Sequence, residues 1–284
     1  MKQPWGRPPA CLAIIDRRRV LALLGAAPWA TRLGNAAADS ALHFAALDHL
    51  ETSVPDAARS AAFYARVFGG STWKNRQTPR RYVKLGPAYI AIDQKPESAR
   101  VDHFSAGIPD YRIADIHNFL DQRGIPYRDF PSGRDLNVTD PDGIRVQLSS
   151  DNSWAPLEGT TAIREPESTA VEPIFRATGL DHILLNVSDP EKSAAFYEKI
   201  FGPVAQRRNN RIWFQTGKGR IGLLKTPDGQ PNGVNHFCVA AERFDYVAVM
   251  KKLAEAGAKP ETPEVAGAPE FRDPDGFLVQ VMTP

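Results

Sequence analysis

The sequence predicts an α+β protein made of two tandem copies of one mixed domain, and three observations predict it. The segment Leu47 to Gly69 reads again from Leu180 to Gly202, sharing Leu-Asp-His at its start and Ser-Ala-Ala-Phe-Tyr followed by Phe-Gly at its end. Asp140-Pro-Asp-Gly and Asp273-Pro-Asp-Gly mark the far end of each copy. His49, His103 and Gln147 recur as His182, His236 and Gln280, with intervals of 54 and 44 residues in both sets and a constant offset of 133. Self-similarity at a fixed period points to duplicated structural units, and each unit here has the length of an ordinary domain. The expected division is therefore residues 42–150 and 179–284, joined by a linker over 151–178 and preceded by a separate segment, 1–38.

Within each copy the order is strand, helix, three strands, and then the same again. Leu47 to Val54 alternates as a half-buried strand does. Asp56 is placed to cap a helix whose apolar face is Phe63, Tyr64, Val67 and Phe68, and Gly69-Gly70 ends it. The second copy starts its helix with Ser188-Asp189-Pro190-Glu191, proline at the first helical position and an acid in the first turn. Strands follow over 81–85 and 88–92, matched by 211–215 and 220–224. New strands open at 101–108 and 234–240. Helices carrying Ile113, Ile116 and Leu120, or Tyr246, Val249 and Leu253, then stop at Gly124 or Gly257. Val138 and 143–148 close the first copy, and Phe271 and 276–282 the second, through Asp-Gly turns. Residues 151–178 hold prolines and acids with no sustained period, as a linker does.

The first 38 residues read as an export signal. Arg17-Arg18-Arg19 precedes the short apolar run Val20 to Ala27, and Ala36-Ala37-Ala38 supplies a small-residue cleavage site. The paired arginines resemble a twin-arginine signal, which implies a periplasmic or secreted protein; an ordinary secretory signal or an attached amphipathic helix are the alternatives. Removing this segment takes away five net positive charges, turning the formal +2 into about −3. That argues against a nucleic-acid partner, and the apolar run is too short to span a membrane. Cys11 lies in the signal, so Cys238 is left without an intramolecular disulfide partner. It reads as a small buried residue two positions after His236, with a soft metal ligand as the remoter reading.

Two imidazoles and an amide oxygen, repeated at one spacing, are a possible ligand set for a metal ion. The alternative is that these histidines are held in the core by hydrogen bonds, with the glutamines as partners. His43 and His117 read as surface residues. Arg80, Arg81, Arg207, Arg208 and Arg211 fit solvated strand edges, or a field that steers an anionic substrate.

Taken together, the Leu-Asp-His strand, the Ser-Ala-Ala-Phe-Tyr helix ending in Phe-Gly, the second His-Phe strand and the Asp-Pro-Asp-Gly turn resemble the vicinal oxygen chelate superfamily. That group includes glyoxalase I, extradiol ring-cleaving dioxygenases, and bleomycin and fosfomycin resistance proteins. The resemblance implies paired βαβββ modules whose mixed sheet curls into a cup in each copy. It also implies metal ligands on the first and last strands: His49, His103 and Gln147 in the first cup, His182, His236 and Gln280 in the second. The implied cofactor is a divalent metal ion (iron, manganese, nickel or zinc), and the partner a small molecule with vicinal oxygens.

This chain departs from the family at the last ligand, where catalytic members usually carry glutamate. An amide keeps a ligand oxygen but drops one negative charge, and it cannot act as a general base. A glyoxalase-like proton transfer needs another carboxylate. Glu51, on the face of His49 and two residues beyond it, is the candidate catalytic residue; the second copy has Leu184 there. Asp93, 44 residues after His49, is a further candidate ligand, with a solvated strand end as its alternative. These acids make the first copy the expected seat of chemistry. Three functions follow: a metal-dependent lyase, isomerase or ring-cleaving dioxygenase; a metal-independent small-molecule or antibiotic binder; and a degenerate structural module.

Overall fold

The computed structural model describes residues 41–69, 71–97, 99–154, 164–168 and 172–284. The signal-like segment and much of the linker lie outside them. The first copy comprises β1 (Ala46–Val54), α1 (Ala57–Phe68), β2 (Thr72–Asn75), β3 (Arg81–Leu85), β4 (Ala88–Gln94), β5 (Arg100–Ile108), α2 (Ile113–Gln122), β6 (Tyr127–Asp129), β7 (Leu136–Thr139) and β8 (Arg145–Ser150). After β9 (Arg164–Ser168) comes the second: β10 (Ala177–Val187), α3 (Pro190–Phe201), β11 (Gln206–Arg208), β12 (Arg211–Thr216), β13 (Gly219–Lys225), β14 (Gly233–Ala241), α4 (Tyr246–Glu255), β15 (Lys259–Pro260), β16 (Glu270–Arg272) and β17 (Leu278–Met282).

Each copy forms one mixed sheet. Its two modules join where their first strands pair antiparallel, β1 with β5 and β10 with β14. Each of these central strands takes its own module's last strand as a parallel neighbour: β4, β8, β13 and β17. The strand orders are β6-β7-β8-β5-β1-β4-β3-β2-β9 and β11-β12-β13-β10-β14-β17-β16-β15. The predicted paired βαβββ modules are therefore the observed architecture.

Local chemistry starts and stops the helices as expected. Asp56 accepts from the Arg59 amide, and Gly69 ends α1 at φ 72°, a conformation glycine adopts without steric cost. Asp189 accepts from the Glu191 and Lys192 amides ahead of α3. Alternation along the strands sends Leu50, Ile90, Phe104, Val146 and their counterparts Ile183, Ile221, Phe237 and Val279 into the core. Their neighbours face the other way, onto what we call the cup face.

The linker is less inert than its composition suggests. β9 adds to the sheet edge by pairing with β2, and Trp154 packs on Trp73, Tyr82 and Tyr89.

The two copies are not independent bodies; they share one core. Phe63 and Tyr64 of α1 meet Phe271 and Phe237 of the second copy, each at a centroid separation of 6.3 Å, and Phe201 of α3 meets Phe44 of the first at 4.7 Å. A reciprocal polar clasp accompanies this packing. The Asp273 side chain builds its own turn by accepting from the Asp275 and Phe277 amides with Oδ1, while Oδ2 accepts from Tyr64 of the other copy at 2.5 Å. Asp140 does the same with its turn and with Tyr197 at 3.1 Å. Ser60 and Arg59 bind Asp275, as Ser193 binds Asp142. The repeated Ser-Ala-Ala-Phe-Tyr and Asp-Pro-Asp-Gly motifs thus answer one another across the interface. Burial, reinforced by the carboxylates opposite, raises both tyrosine hydroxyls well above their ordinary pKa, so they remain donors.

Candidate metal centre

Strand register decides which side chains meet on the cup faces. In the first copy one row runs Tyr89, His49, Ser105, Gln147, Asn137, and the next runs Ala91, Glu51, His103, Arg145. In the second the rows are Arg220, His182, Cys238, Gln280, Glu270, and Gly222, Leu184, His236, Leu278. All six expected ligands are buried. The rings of His49 and His103 approach edge to face at 5.5 Å, those of His182 and His236 at 5.2 Å.

Each histidine is oriented by the residue just before it. Nδ1 of His49 meets Asp48 at 2.6 Å, and Nδ1 of His103 meets Asp102 at 3.1 Å. Nδ1 of His182 meets Asp181 at 2.6 Å, and Nδ1 of His236 meets Asn235 at 2.8 Å. In a regular strand adjacent side chains point to opposite faces, so this contact should not form. It forms because Asp48, Asp102, Asp181 and Asn235 are each the extra residue at a register shift between the central strands. A β-bulge re-aims the bulged side chain, and four bulges here turn an acceptor onto the ring beside it. An acceptor at Nδ1 leaves Nε2 as the ligand atom, the arrangement usual behind metal-bound histidines. Sequence reading missed these four residues, although an Asp or Asn before every one of the four histidines was a visible signal.

The second site shows the consequence most sharply. Asn235 is locked with its oxygen toward His236 because its nitrogen donates to Asn186 at 3.1 Å. Although burial works against ionisation, hydrogen bonds from His182 and Arg220 hold Asp181 below the ordinary carboxylate range. Both rings therefore donate a hydrogen bond from Nδ1–H to these oxygens. Nε2 of His182 and Nε2 of His236 then face each other at 3.1 Å, two lone pairs that repel unless a proton or a metal cation lies between them. Burial, with His182 and Arg211 nearby, pushes His236 down to about pH 3, which disfavours the proton. Gln280 donates to Glu270 at 2.7 Å, so the amide nitrogen is occupied and its oxygen is the free end. Cys238 shares the row, with ligand atoms of Asp181, His182 and Cys238 within 4.8 Å of one another; burial raises its thiol well above the usual value. The donor set fits a divalent metal.

The first site is built alike but filled differently. His103 Nε2 is buried with no hydrogen-bond partner, an orphan that suits a ligand atom. Burial, aided by Arg80 and opposed by Glu51, keeps His103 below the ordinary histidine value. Glu51 does reach the site, 3.8 Å from His103 Nε2, but its carboxylate is ion-paired with Arg80. Gln147 is buried beside His103. Tyr89 stacks on His49 at 4.6 Å, and Trp154 lies against Tyr89 at 5.1 Å. Asp93 is displaced from the expected position. β4 sits opposite β1 with an interval two residues shorter than that between β5 and β8, so Ala91 is the counterpart of Gln147. Asp93 lies farther along, between Arg80 at 3.8 Å and Lys95 at 3.5 Å.

In the second copy a cavity of about 480 Å³ opens onto His182, His236 and Gln280, walled by Trp213, Arg208, Arg211, Arg220 and Glu264. That volume suits a small ligand. The expectation that the first copy is the better seat of chemistry rested on Glu51 and Asp93; the structure pairs Glu51 with Arg80 and places Asp93 between Arg80 and Lys95. His43 is exposed; His117, half-buried, stacks on Tyr127 and binds Asp129 at 2.8 Å. Of the arginines read as strand edges, Arg208 and Arg211 line the cavity, Arg207 pairs with Glu191 and Arg81 with Glu167.

Residues 179–281 match the family described as the Glyoxalase/Bleomycin resistance protein/Dioxygenase superfamily. Among solved structures, the 2,3-dioxygenase LapB from Pseudomonas sp. KL28 is similar at a TM-score of 0.67 and 15% identity, covering 86% of this chain and 94% of that one. The Mn(II)-bound glyoxalase from Novosphingobium aromaticivorans gives 0.63 and 15%, covering 85% and 82%. Homoprotocatechuate 2,3-dioxygenase from Brevibacterium fuscum, in complex with 3,4-dihydroxyphenylacetate, gives 0.62 and 15%, covering 86% and 82%. At such identities the likeness is one of fold. It extends over both copies as a likeness of fold, and the family match falls on the second.

Proposed function

We propose that this chain is a metal-dependent enzyme working in its second cup on a small molecule with two adjacent oxygens, and that its reaction is ring-cleaving oxygenation of a catechol-type substrate. The observation that carries the metal reading is the pair of Nε2 atoms 3.1 Å apart, each with its Nδ1 partner already in place. His182, His236 and Gln280 would hold the metal. A metal held there would supply a Lewis acid for the substrate's vicinal oxygens and a centre for reaction with dioxygen. Asp181 and Asn235 keep the rings in the ligating tautomer, and Glu270 orients the Gln280 amide.

The choice of oxygenation over isomerisation rests on what the second cup does not offer. A glyoxalase-like reaction needs a carboxylate to move a proton between carbons. The inner positions that hold Glu51 and Asp93 in the first cup are Leu184 and Leu224 here, and the last ligand is an amide. Among the described residues lining the cavity the one acid is Glu264, at its rim and paired with Arg211; Glu270, next to Gln280 in its row, has its two oxygens engaged by the Gln280 side chain and the Glu264 amide N–H. The neighbours that are dioxygenases support the same direction.

The test is elemental analysis of protein purified without a histidine tag, followed by iron reconstitution and incubation with catechols in air. Stoichiometric metal, lost in His182→Ala/His236→Ala, and oxygen uptake coupled to ring opening are expected. Absence of metal after reconstitution would remove the metal reading. We also propose export through the twin-arginine-like signal. Replacing Arg17 and Arg18 by lysine should leave precursor in the cytoplasm, and normal maturation of that variant would point to another route.

A further inference from the structure

The two cups provide an internal control for the chemistry of the second cavity. Row by row, Glu51 sits between Ala91 and His103, and Leu184 sits between Gly222 and His236. Tyr82 pairs with Ala91 and Trp213 with Gly222, so Arg80 and Arg211, each two residues earlier, are counterparts. Asp93, opposite Ser53, corresponds to Leu224, opposite Asn186. In the first cup the guanidinium of Arg80 is answered from within by Glu51 and Asp93. In the second both inner acids are leucines. Arg211 keeps a pair only with Glu264 among the described residues, at 2.5 Å, a rim residue whose side chain is 43% exposed; its Nε is buried with no hydrogen-bond partner, as is that of Arg80, so the cups differ in the loss of the inner carboxylates. Three arginines and one glutamate line the cavity, although Arg220 is engaged by Asp181.

We infer that the second cavity takes a small carboxylate-bearing molecule, whose carboxylate pairs with Arg211 where the Glu51 carboxylate sits in the first cup. The protein itself shows that a carboxylate fits this place: Glu51 bonds Arg80 and lies 3.8 Å from His103 Nε2. A guanidinium matches a carboxylate with paired N–H donors, and it gains strength where water is excluded. Trp213, 5.3 Å from the His182 ring, offers a flat wall for the rest of the molecule. The inference rests on the proposed function for one point alone, that the ligand also carries adjacent oxygens facing the histidines.

The experiment is calorimetric titration of the full chain, loaded with Mn²⁺ under argon, with catechol, 3,4-dihydroxybenzoate and benzoate. The dihydroxybenzoate should bind at least about tenfold more tightly than catechol, the minimum that one charge-assisted contact gives. Arg211→Met should erase that preference. Leu184→Glu should erase it too, by supplying the carboxylate internally as Glu51 does; if that variant does not fold, Arg211→Met decides alone. Equal affinity for catechol and dihydroxybenzoate, or a preference that survives Arg211→Met, overturns the inference and leaves the metal reading intact. Benzoate binding that depends on Arg211 in protein that takes up no Mn²⁺ supports the inference and removes the metal reading.

Discussion

The two cups share a backbone plan, a ligand spacing and four orienting bulges, yet they differ at almost every position around the ligands. The first answers its arginine with Glu51 and stacks Tyr89 and Trp154 over His49. The second places leucine at the Glu51 position, keeps Glu270 behind its glutamine and leaves an open cavity. The comparison teaches that a repeated set of candidate ligands does not fix the character of its site. Charge and access are set by neighbours one row away, which can diverge while the ligands stay the same.

The largest expected break in the symmetry is in metal content. His182→Ala/His236→Ala should abolish metal binding by the second cup, whereas Trp154→Ala should leave it intact, both read by elemental analysis. Asp181→Ala keeps both ligands but loosens the tautomer of His182; metal affinity should fall roughly 10- to 100-fold. An affinity unchanged by that variant would mean the bulged acceptors are structural only.

Acid should separate unfolding from neutral behaviour through the second cup. His236 in the folded chain is held at about 3, against an ordinary value of 6.5. Between those values the unfolded chain binds the proton and the folded one does not. Stability is therefore fully present above pH 6.5 and lost progressively as pH falls toward 3, by on the order of a few kcal/mol for this group. Urea unfolding of metal-free protein at a series of pH values checks it, and His236→Gln should flatten that part of the profile.

The clasp between the copies predicts a reciprocal effect. Tyr64→Phe leaves Asp273 buried without its partner and should cost about 1–3 kcal/mol, with Tyr197→Phe comparable. Chemical denaturation measures both. A value near zero for either would mean that water replaces the phenol.

The smallest expected effect is also the most discriminating. Gln147→Glu in the first cup lies opposite the neutral Asn137 and should tighten metal binding there, by roughly 1–3 kcal/mol where the ligand is charged. Gln280→Glu would face Glu270, whose carboxylate is 2.7 Å from the present amide nitrogen. Like charges at that distance offset the gain, so its metal affinity should change little. Equal tightening in both cups would show that Glu270 does not act on the ligand.

The sequence by itself determined the duplication, the helix and strand order, the caps at Asp56 and Asp189, and the shared face of His49 and Glu51. These are local properties: period two puts alternate side chains on one face, period 3.6 makes a helix stripe, and Asp or Pro at a helix start acts through the adjacent turn. What only the tertiary structure decided depends on how strands pair. The bulges that bring Asp48, Asp102, Asp181 and Asn235 onto their histidines are register shifts between β1 and β5 or β10 and β14. No single strand's pattern contains such a shift. The β1–β4 register, two residues tighter than its β5–β8 equivalent, likewise put Ala91 rather than Asp93 in the ligand row. The answering of Tyr64 by Asp273, and the packing of Trp154 over the first cup, join residues far apart in the chain. Such contacts form only when the whole fold brings them together. Spacing could name the candidate ligands, but the neighbours that set charge and shape around each set belong to the three-dimensional neighbourhood alone.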